Sequence, residues 1–274
     1  MILNVSDLKA APVWLQVAAF FVGWLLVWLP IALPLAIALR WYPPQPVTPA
    51  QKLPLVASLY LLAPLPLWAA LRLMEASLVD WGVVWSEEMG RSLLLGWGLG
   101  VGGLAVLLGG QWLLGWVEWS EVRPAIAQGV PLLLGTLLLA VWISLTEEVI
   151  FRGFLLNRLQ RHELDWGAAT IASLIFAVLH LVWEGKQNIP QLPGLWLMGM
   201  VLTVARWADA GLLGLPWGLH AGWVWAIASL DTLQLLKYTG KGSPWLVGFD
   251  HKPLAGVLGI LCLLGTAGVV WWLR

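Results

Sequence analysis

The chain has 274 residues, of which 60% are hydrophobic and only 11% are charged, and its mean hydropathy is +0.82. Soluble domains are about 45–50% apolar and about 25% charged, so this composition excludes an ordinary soluble domain and predicts a polytopic protein of the lipid bilayer. The 15 basic and 15 acidic residues cancel, and this balance gives no indication of nucleic acid as a partner.

Eight segments are predicted to be transmembrane helices, since a span needs about 20 mostly apolar residues. In chain order they cover residues 13–39, 53–74, 92–117, 130–147, 167–183, 192–209, 212–230 and 253–273. The N-terminal sequence lacks a basic stretch followed by a short apolar one, which predicts that no signal peptide is cleaved. The prolines of RWYPPQPVTPAQK separate the first two spans. The fold class is therefore predicted to be all-α, with about eight transmembrane helices around an intramembrane polar cavity.

The connections and one glycine-rich span complete this outline. EASLVDWGVVWSEEMGR is too charged to span, and it is predicted to be an amphipathic connection in the membrane interface. The third span has glycines at small-xxx-small spacing, which allows helices to approach closely in a bilayer. DTLQLLKYTGKGSPWLVGFDHKP is predicted to be an extramembrane loop. The chain then divides into N-terminal helices with the interfacial connection at 1–124, a core at 125–232, and the loop with a last helix at 233–274.

Ionisable residues interrupt three of the predicted spans, where burial of charge is costly and marks either function or a paired structural site. Glu147, Glu148 and Arg152 lie in AVWISLTEEVIFRGFLL, His180 lies in SLIFAVLHLVWEG, and His220 lies in GLPWGLHAGWVWAIASLD. Glu148 and Arg152 are four residues apart and can pair on one helix face. Glu147 is rotated from Glu148 by about 100°, so the two acids are predicted to have different roles. Taken singly, each position is also explained by a structural ion pair or a hydrogen-bonded histidine.

Together, the three positions indicate amide hydrolysis by one of two chemistries. A glutamate can take a proton from a water that one histidine orients, while a second histidine stabilises the oxyanion. Alternatively, Glu147, His180 and His220 bind zinc as three ligands and leave an open position for water. We favour the chemistry without a metal cofactor, because the sequence shows no partner that would orient either histidine as a ligand.

Other hydrolytic motifs are missing from the sequence. There is no H-E-x-x-H zinc motif and no Gly-x-Ser-x-Gly motif. Cys262 is the single cysteine and is far from His180 and His220 in the sequence, so neither an intramolecular disulfide nor a cysteine-based metal cluster is available. These observations argue against serine and cysteine nucleophiles.

The order of these motifs resembles the CPBP family, the CAAX-protease and bacteriocin-processing intramembrane proteases that are also called the Abi family. EEVIFR resembles its EExxxR motif, FAVLH resembles FxxxH, and HAGWV falls where the family has HxxxN; the resemblance covers roughly residues 130–232. The sequence PWGLHAGWVWAIASLD and the content of 22 tryptophans resemble those of cyanobacterial and plastid-type members. This resemblance implies an integral protein of a bacterial inner membrane or a thylakoid.

The resemblance also implies an eight-helix protease with a cavity open to the bilayer and a membrane-embedded or membrane-proximal peptide or protein as its substrate. By the same resemblance, Glu147 is the general base and His180 is its partner on the water. Glu148 and Arg152 are implied to be the supporting pair, and His220 is implied to belong to the oxyanion site.

One position departs from the family pattern, because Val224 stands where HxxxN has its asparagine. Valine cannot donate to an oxyanion, which favours weak or lost activity. The alternative function is therefore a non-catalytic scaffold or assembly factor that binds another membrane protein through a tryptophan-rich surface. A transporter ranks third, because polar residues at mid-membrane also mark ion paths but the sequence shows no repeated halves.

Overall fold

The computed structural model of the chain describes residues 9–42, 45, 47–121 and 126–273. Three sequence predictions concern residues outside these ranges. They are the absence of a signal peptide at residues 1–8, the separating prolines at positions 43, 44 and 46, and the boundary between residues 124 and 125.

The described residues are predominantly helical, which confirms the predicted all-α class. The helices are α1 (Val13–Ala38), α2 (Pro49–Leu62), α3 (Pro64–Met74), α4 (Glu87–Leu113), α5 (Ile126–Glu148), α6 (Leu156–Leu159), α7 (Asp165–Leu179), α8 (Leu181–Glu184), α9 (Leu192–Ala208), α10 (Gly214–Thr232), α11 (Pro244–Val247) and α12 (Val257–Trp272). A π-helical segment, Val149–Leu155, joins α5 to α6. Short 3-10 turns lie at Val79–Trp81, Gly185–Gln191, Phe249–His251 and Pro253–Ala255.

Five helical stretches in the described ranges are long and apolar enough to cross a membrane. They are Val13–Ala38, Ala50–Met74, Glu87–Leu113, Gly129–Leu159 and Asp165–Trp183, and α12 is a shorter apolar helix. Helix α9 has 17 residues and α10 has 19, close to the length that a span requires. Each predicted span therefore contains a helix, but the count of eight spans stays a prediction.

The outer faces of these helices are apolar, as a lipid environment requires. Ile37 of α1, Val106 of α4 and Leu138 of α5 are 74%, 78% and 73% exposed, respectively. Apolar exposure on this scale is unfavourable in water and favourable against lipid chains. The chain is an integral membrane protein.

The connection before α4 packs against the rest of the protein, and its location in the membrane interface stays a prediction. It contains the 3-10 turn at Val79–Trp81, and Trp81 is only 3% exposed because it packs against the π-helical segment. Helix α4 begins at Glu87, five residues before the predicted start, where the Ser86 hydroxyl accepts a hydrogen bond from the Met89 N–H at 3.3 Å. This N-cap explains the earlier start, since it satisfies a free N–H of the first turn.

A small two-stranded ribbon lies among the connections. Strand β1 (Val117–Trp119) pairs antiparallel with β2 (Leu236–Tyr238), and Val117 is opposite Tyr238. Strand β2 falls inside the segment that is predicted to be an extramembrane loop. The ribbon joins the end of α4 to the end of α10.

Glycines bring α4 and α10 into close contact, which confirms the prediction from small-xxx-small spacing. Gly96 and Gly100 of α4 face the backbone of α10, and Gly218 and Gly222 of α10 face the backbone of α4. A Cβ atom on Gly96 would lie 2.3 Å from a carbonyl oxygen of α10, and one on Gly218 would lie 2.0 Å from a carbonyl oxygen of α4. His220 is two residues from each α10 glycine, so the helical repeat directs its side chain away from α4.

Candidate functional site

The two adjacent glutamates lie where the helix changes its hydrogen-bonding pattern. Glu147 and Glu148 are the last residues of α5, and the π-helical segment Val149–Leu155 follows them directly. All seven residues of this segment are buried. Single π-helical turns inside α-helices occur frequently at functional sites.

Arg152 and Glu148 form a fully buried ion pair, as their spacing predicts. Arg152 Nη1 donates to Glu148 Oε1 at 2.9 Å, and the two side chains are 2% and 0% exposed. Arg152 Nη2 donates to the Gly199 carbonyl oxygen at 3.1 Å, and the guanidinium carbon lies 4.7 Å from the centre of the Phe176 ring. Two terminal nitrogens and one face of the guanidinium group thus have fixed partners, and partners of this kind are needed for a stable buried charge.

His220 lies between the two glutamates and contacts one with each ring nitrogen. Its Nδ1 is 2.7 Å from Glu148 Oε1, and its Nε2 is 3.5 Å from Glu147 Oε2. A carboxylate can only accept, so Nδ1 carries a hydrogen that it donates to Glu148. The second contact is longer than an ordinary N–H···O hydrogen bond. The two acids therefore occupy different positions around one imidazole.

Tyr60 of α2 provides a contact to Glu147 that the sequence did not indicate. Its phenol donates to Glu147 Oε1, while Glu147 Oε2 is the oxygen that faces His220. Glu147 is 7% exposed and Glu148 is 0% exposed, so Glu147 is the more accessible acid of the two. Tyr60 is a single tyrosine in an apolar segment and belongs to no motif.

His180 lies close to this group, and its side chain hydrogen-bonds a backbone carbonyl rather than Glu147. Its Nδ1 is 2.8 Å from the Phe176 carbonyl oxygen, and this is its hydrogen bond in the described structure. Since a carbonyl only accepts, Nδ1 carries the hydrogen, and Nε2 of the neutral ring is a free acceptor. The centre of the Phe176 ring lies 4.6 Å from the centre of the His180 ring and 5.9 Å from that of the His220 ring. The centres of the two imidazole rings therefore cannot be farther apart than the sum of these two distances.

Arg206 of α9 is a second buried arginine that the sequence reasoning missed. It is 6% exposed and donates to the backbone oxygen of Arg152 and to that of Gly211, the latter at 3.1 Å. It also donates to Asn157 Oδ1 at 3.3 Å. The sequence could have indicated Arg206, because it lies inside a predicted span and a charge within the membrane is costly without partners. Here the partners fix the helical turn that contains Arg152.

The structure brings together four of the five predicted site residues, with His180 separated from them by Phe176. Among the residues that it describes, no group of three or more histidine, cysteine, aspartate or glutamate side chains is arranged to hold a metal ion. Val224 lies on α10, one helical turn after His220. The arrangement therefore presents the Glu147 carboxylate next to the His220 imidazole, whose other nitrogen is bonded to Glu148.

Comparisons with known proteins relate part of the chain to a described family. Residues 129–226 match the family described as Rce1-like, type II CAAX prenyl endopeptidase Rce1-like. These residues include Glu147, Glu148, Arg152, His180 and His220. The match supports the predicted resemblance to the CPBP family of CAAX-type endopeptidases over this part of the chain.

A protein of Escherichia coli is also similar to this chain. It is named an uncharacterised 24.3 kDa protein and is 35% identical over 128 residues, which cover 44% of this chain and 57% of that protein. The chain thus spans little more than half the length of this relative.

Proposed function

We propose that the chain is an intramembrane endopeptidase that hydrolyses a peptide bond within or beside the membrane. The observation that carries this proposal is the imidazole of His220, which two carboxylates contact at opposite nitrogens inside the segment that matches the endopeptidase family. A structural ion pair requires only Glu148 and Arg152. The second acid, Glu147, is the group that remains for chemistry.

Glu147 is the general base in this proposal. Its carboxylate removes a proton from a water molecule, and the water oxygen forms a bond to the carbonyl carbon of the substrate. The carbon–nitrogen bond of the resulting tetrahedral intermediate then breaks, and the proton passes from Glu147 to the leaving amine. Proton transfer by a positioned carboxyl group typically contributes about 10²–10⁴ in rate.

His220 supplies the stabilisation of the oxyanion. Its Nδ1–H is held by Glu148 at 2.7 Å, and Arg152 holds the same carboxylate oxygen at 2.9 Å. With Nδ1 fixed in this way, Nε2 is the nitrogen that faces Glu147 and the reacting atoms. In the doubly protonated imidazolium form of His220, Nε2 also carries a hydrogen, which it can donate to the oxygen that becomes negative. A fixed donor of this kind requires little reorganisation during the reaction.

His180 orients the attacking water. Its Nδ1–H is engaged by the Phe176 carbonyl, so its Nε2 is free to accept a hydrogen bond from water. Phe176 packs against His180, against His220 and under Arg152, and it is 0% exposed. This ring supports the proposed roles because it holds both histidines at fixed positions.

A second candidate function is a non-catalytic scaffold that binds another membrane protein. Val224 favours it, because valine offers no donor to an oxyanion. Burial of the polar groups also favours it, since Glu147 at 7% is the most accessible member of the four-residue cluster. The binding surface would include tryptophans such as Trp85, Trp245 and Trp272, which are 75%, 69% and 84% exposed.

Peptide analysis of membranes that contain wild-type protein or Glu147→Gln tests the two candidates. We expect a set of cleaved peptides with wild type that falls by at least about 10²-fold with Glu147→Gln, because the amide cannot take the proton. Glu118→Gln on the exposed ribbon is the matched control and should cleave as wild type does. Equal cleavage by all three proteins, at equal folded amounts, would overturn the endopeptidase and leave the scaffold.

A further inference from the structure

Tyr60 lies outside the segment that matches the family, yet its phenol donates to the acid that is proposed to act as the base. We propose that Tyr60 is a positioning residue that holds Glu147 in its reactive orientation, and this rests on the proposed function. In this proposal the N-terminal helices, which lie outside the matched segment, also contribute a residue to the site.

The location of Tyr60 is determined by the break between α2 and α3. Pro64 has no N–H, so it cannot donate to the Tyr60 carbonyl oxygen as a residue four positions later normally would. The Ala63 N–H donates to that oxygen instead, at 3.3 Å. This shift leaves the Leu59 carbonyl oxygen without its helical partner.

Two tryptophans bond to the carbonyl groups at this break. Trp24 Nε1 of α1 donates to the Leu59 oxygen at 3.1 Å, and Trp142 Nε1 of α5 donates to the Tyr60 oxygen at 3.3 Å. Buried carbonyl groups require a partner in a bilayer, so these indoles fix the last turn of α2 between α1 and α5. Trp142 lies on the same helix as Glu147, and the backbone of Tyr60 is thus tied to the helix whose acid its side chain contacts.

The ring of Tyr60 is also held in place. The Trp24 ring lies 5.9 Å from it at an interplanar angle of 84°, an edge-to-face contact. One level further along α1, Trp28 Nε1 donates to Ser58 Oγ at 2.9 Å. Both the backbone and the ring of Tyr60 are therefore constrained, and the phenol is left with one direction, toward Glu147.

This contact leaves the two carboxylate oxygens of Glu147 with different tasks. Oε1 accepts from Tyr60, and Oε2 faces His220 Nε2 at 3.5 Å. With Oε1 held, the carboxylate cannot rotate, and Oε2 is the oxygen that takes the proton from water. Phenylalanine at position 60 would keep the ring but release Oε1, so the base would lose its orientation without a change in substrate contacts.

Steady-state kinetics on a peptide reporter in detergent or liposomes test this role. We expect Tyr60→Phe to lower kcat by about 10- to 100-fold, the effect of one hydrogen bond to a charged group, and to leave KM unchanged. Tyr42→Phe is the control, because Tyr42 is 61% exposed, and it should match wild type. An unchanged kcat, or a raised KM with unchanged kcat, would overturn the positioning role.

Trp24→Phe tests whether the effect passes through Tyr60. It keeps an aromatic ring but removes the N–H that holds Leu59, so we expect a smaller loss of kcat than with Tyr60→Phe. The double variant should lose no more than Tyr60→Phe alone. Full additivity of the two losses would show that Trp24 does not act through Tyr60.

A thermal-denaturation cycle separates this inference from the proposed function. Tyr60→Phe should lower the Tm more in wild type than in Glu147→Gln, because the contact with an ionised carboxylate exists only in the former. If wild type cleaves nothing, the endopeptidase and the positioning role are both overturned, while coupling in the cycle would still establish the contact. If wild type cleaves and Tyr60→Phe cleaves equally well, only the positioning role is overturned.

Discussion

Two ion pairs of the same chemistry and the same spacing lie in contrasting regions of this protein. Arg91 and Glu87 of α4 pair at 2.5 Å, with side chains that are 77% and 74% exposed. Arg152 and Glu148 pair at 2.9 Å, with side chains that are 2% and 0% exposed. The first pair is at the start of a helix outside the family-matched segment, and the second is inside that segment.

The contrast indicates that the two regions are stabilised in different ways. When one residue of an exposed ion pair is removed, water solvates the charge that remains, and little stability is lost. When one residue of a buried pair is removed, the remaining charge has neither a partner nor water, and the loss of stability is large. Helices α1–α4 contact their neighbours largely through the glycine seam with α10, indole N–H groups and apolar packing. Within the matched segment, a connected set of buried charged side chains also links α5, α9 and α10.

Removal of one arginine from each pair is the strongest test of this difference. We expect Arg152→Ala to destabilise the folded protein by about 3–5 kcal/mol, because Glu148 remains buried without its cation. Arg91→Ala should cause little or no change, since exposed pairs at this spacing contribute little. Denaturation in detergent, followed by circular dichroism, measures both. Similar losses in the two variants would show that the two regions do not differ in this way.

The glycine seam between α4 and α10 gives the next largest effect. A Cβ atom on Gly218 would lie 2.0 Å from the Leu93 carbonyl oxygen, so Gly218→Ala must separate the helices or shift His220. We expect a loss of about 1–3 kcal/mol, as for other overpacked contacts. Gly98 on α4 has nothing within 4 Å of its Cβ position, and Gly98→Ala is the matched control.

Thermal midpoints of both glycine variants, measured in the same detergent, decide this prediction. Alanine at position 98 should be neutral or slightly stabilising, because alanine is the better helix former. Equal midpoints for the two variants would mean that the close approach of α4 and α10 is not needed for stability.

The chain order of the helices and much of the polar cluster could be predicted from the sequence. Apolar segments of about 20 residues indicate transmembrane helices, and ionisable residues inside them indicate a functional or paired site. The pairing of Glu148 with Arg152 follows from helical spacing alone and is confirmed at 2.9 Å. The expected separation of Glu147 from Glu148 is also seen, as contacts to opposite nitrogens of His220.

Other features depend on tertiary contacts that no local pattern encodes. Tyr60 meets Glu147 across 87 positions of sequence, and this requires the helix break at Pro64 and the crossing of α2 over α5. The ribbon strands have three residues each, too few for a recognisable alternation. The link from His220 to Glu148 likewise depends on how closely α10 approaches α5, which the seam with α4 controls.

The smallest expected effect concerns Val224, where the matched segment departs from its family motif. Residue 224 lies one turn after His220, so an asparagine there would place an amide donor on the same face of α10. Loss of one oxyanion donor costs about 10²–10³ in rate, and a donor added without adapted neighbours should recover less. We expect Val224→Asn to raise kcat about tenfold, which is roughly 1.4 kcal/mol, while Val224→Leu, similar in size but without a donor, should not.

The same measurement in the presence of a chelator distinguishes the two chemistries considered for this site. If Glu147, His180 and His220 act without a metal, the chelator should change the rate little and Val224→Asn should show its full gain. If zinc is present in stoichiometric amount and the chelator abolishes cleavage, the metal already polarises the substrate carbonyl and the metal-free proposal is wrong. An unchanged rate for Val224→Asn with no effect of the chelator would mean that another group already donates to the oxyanion.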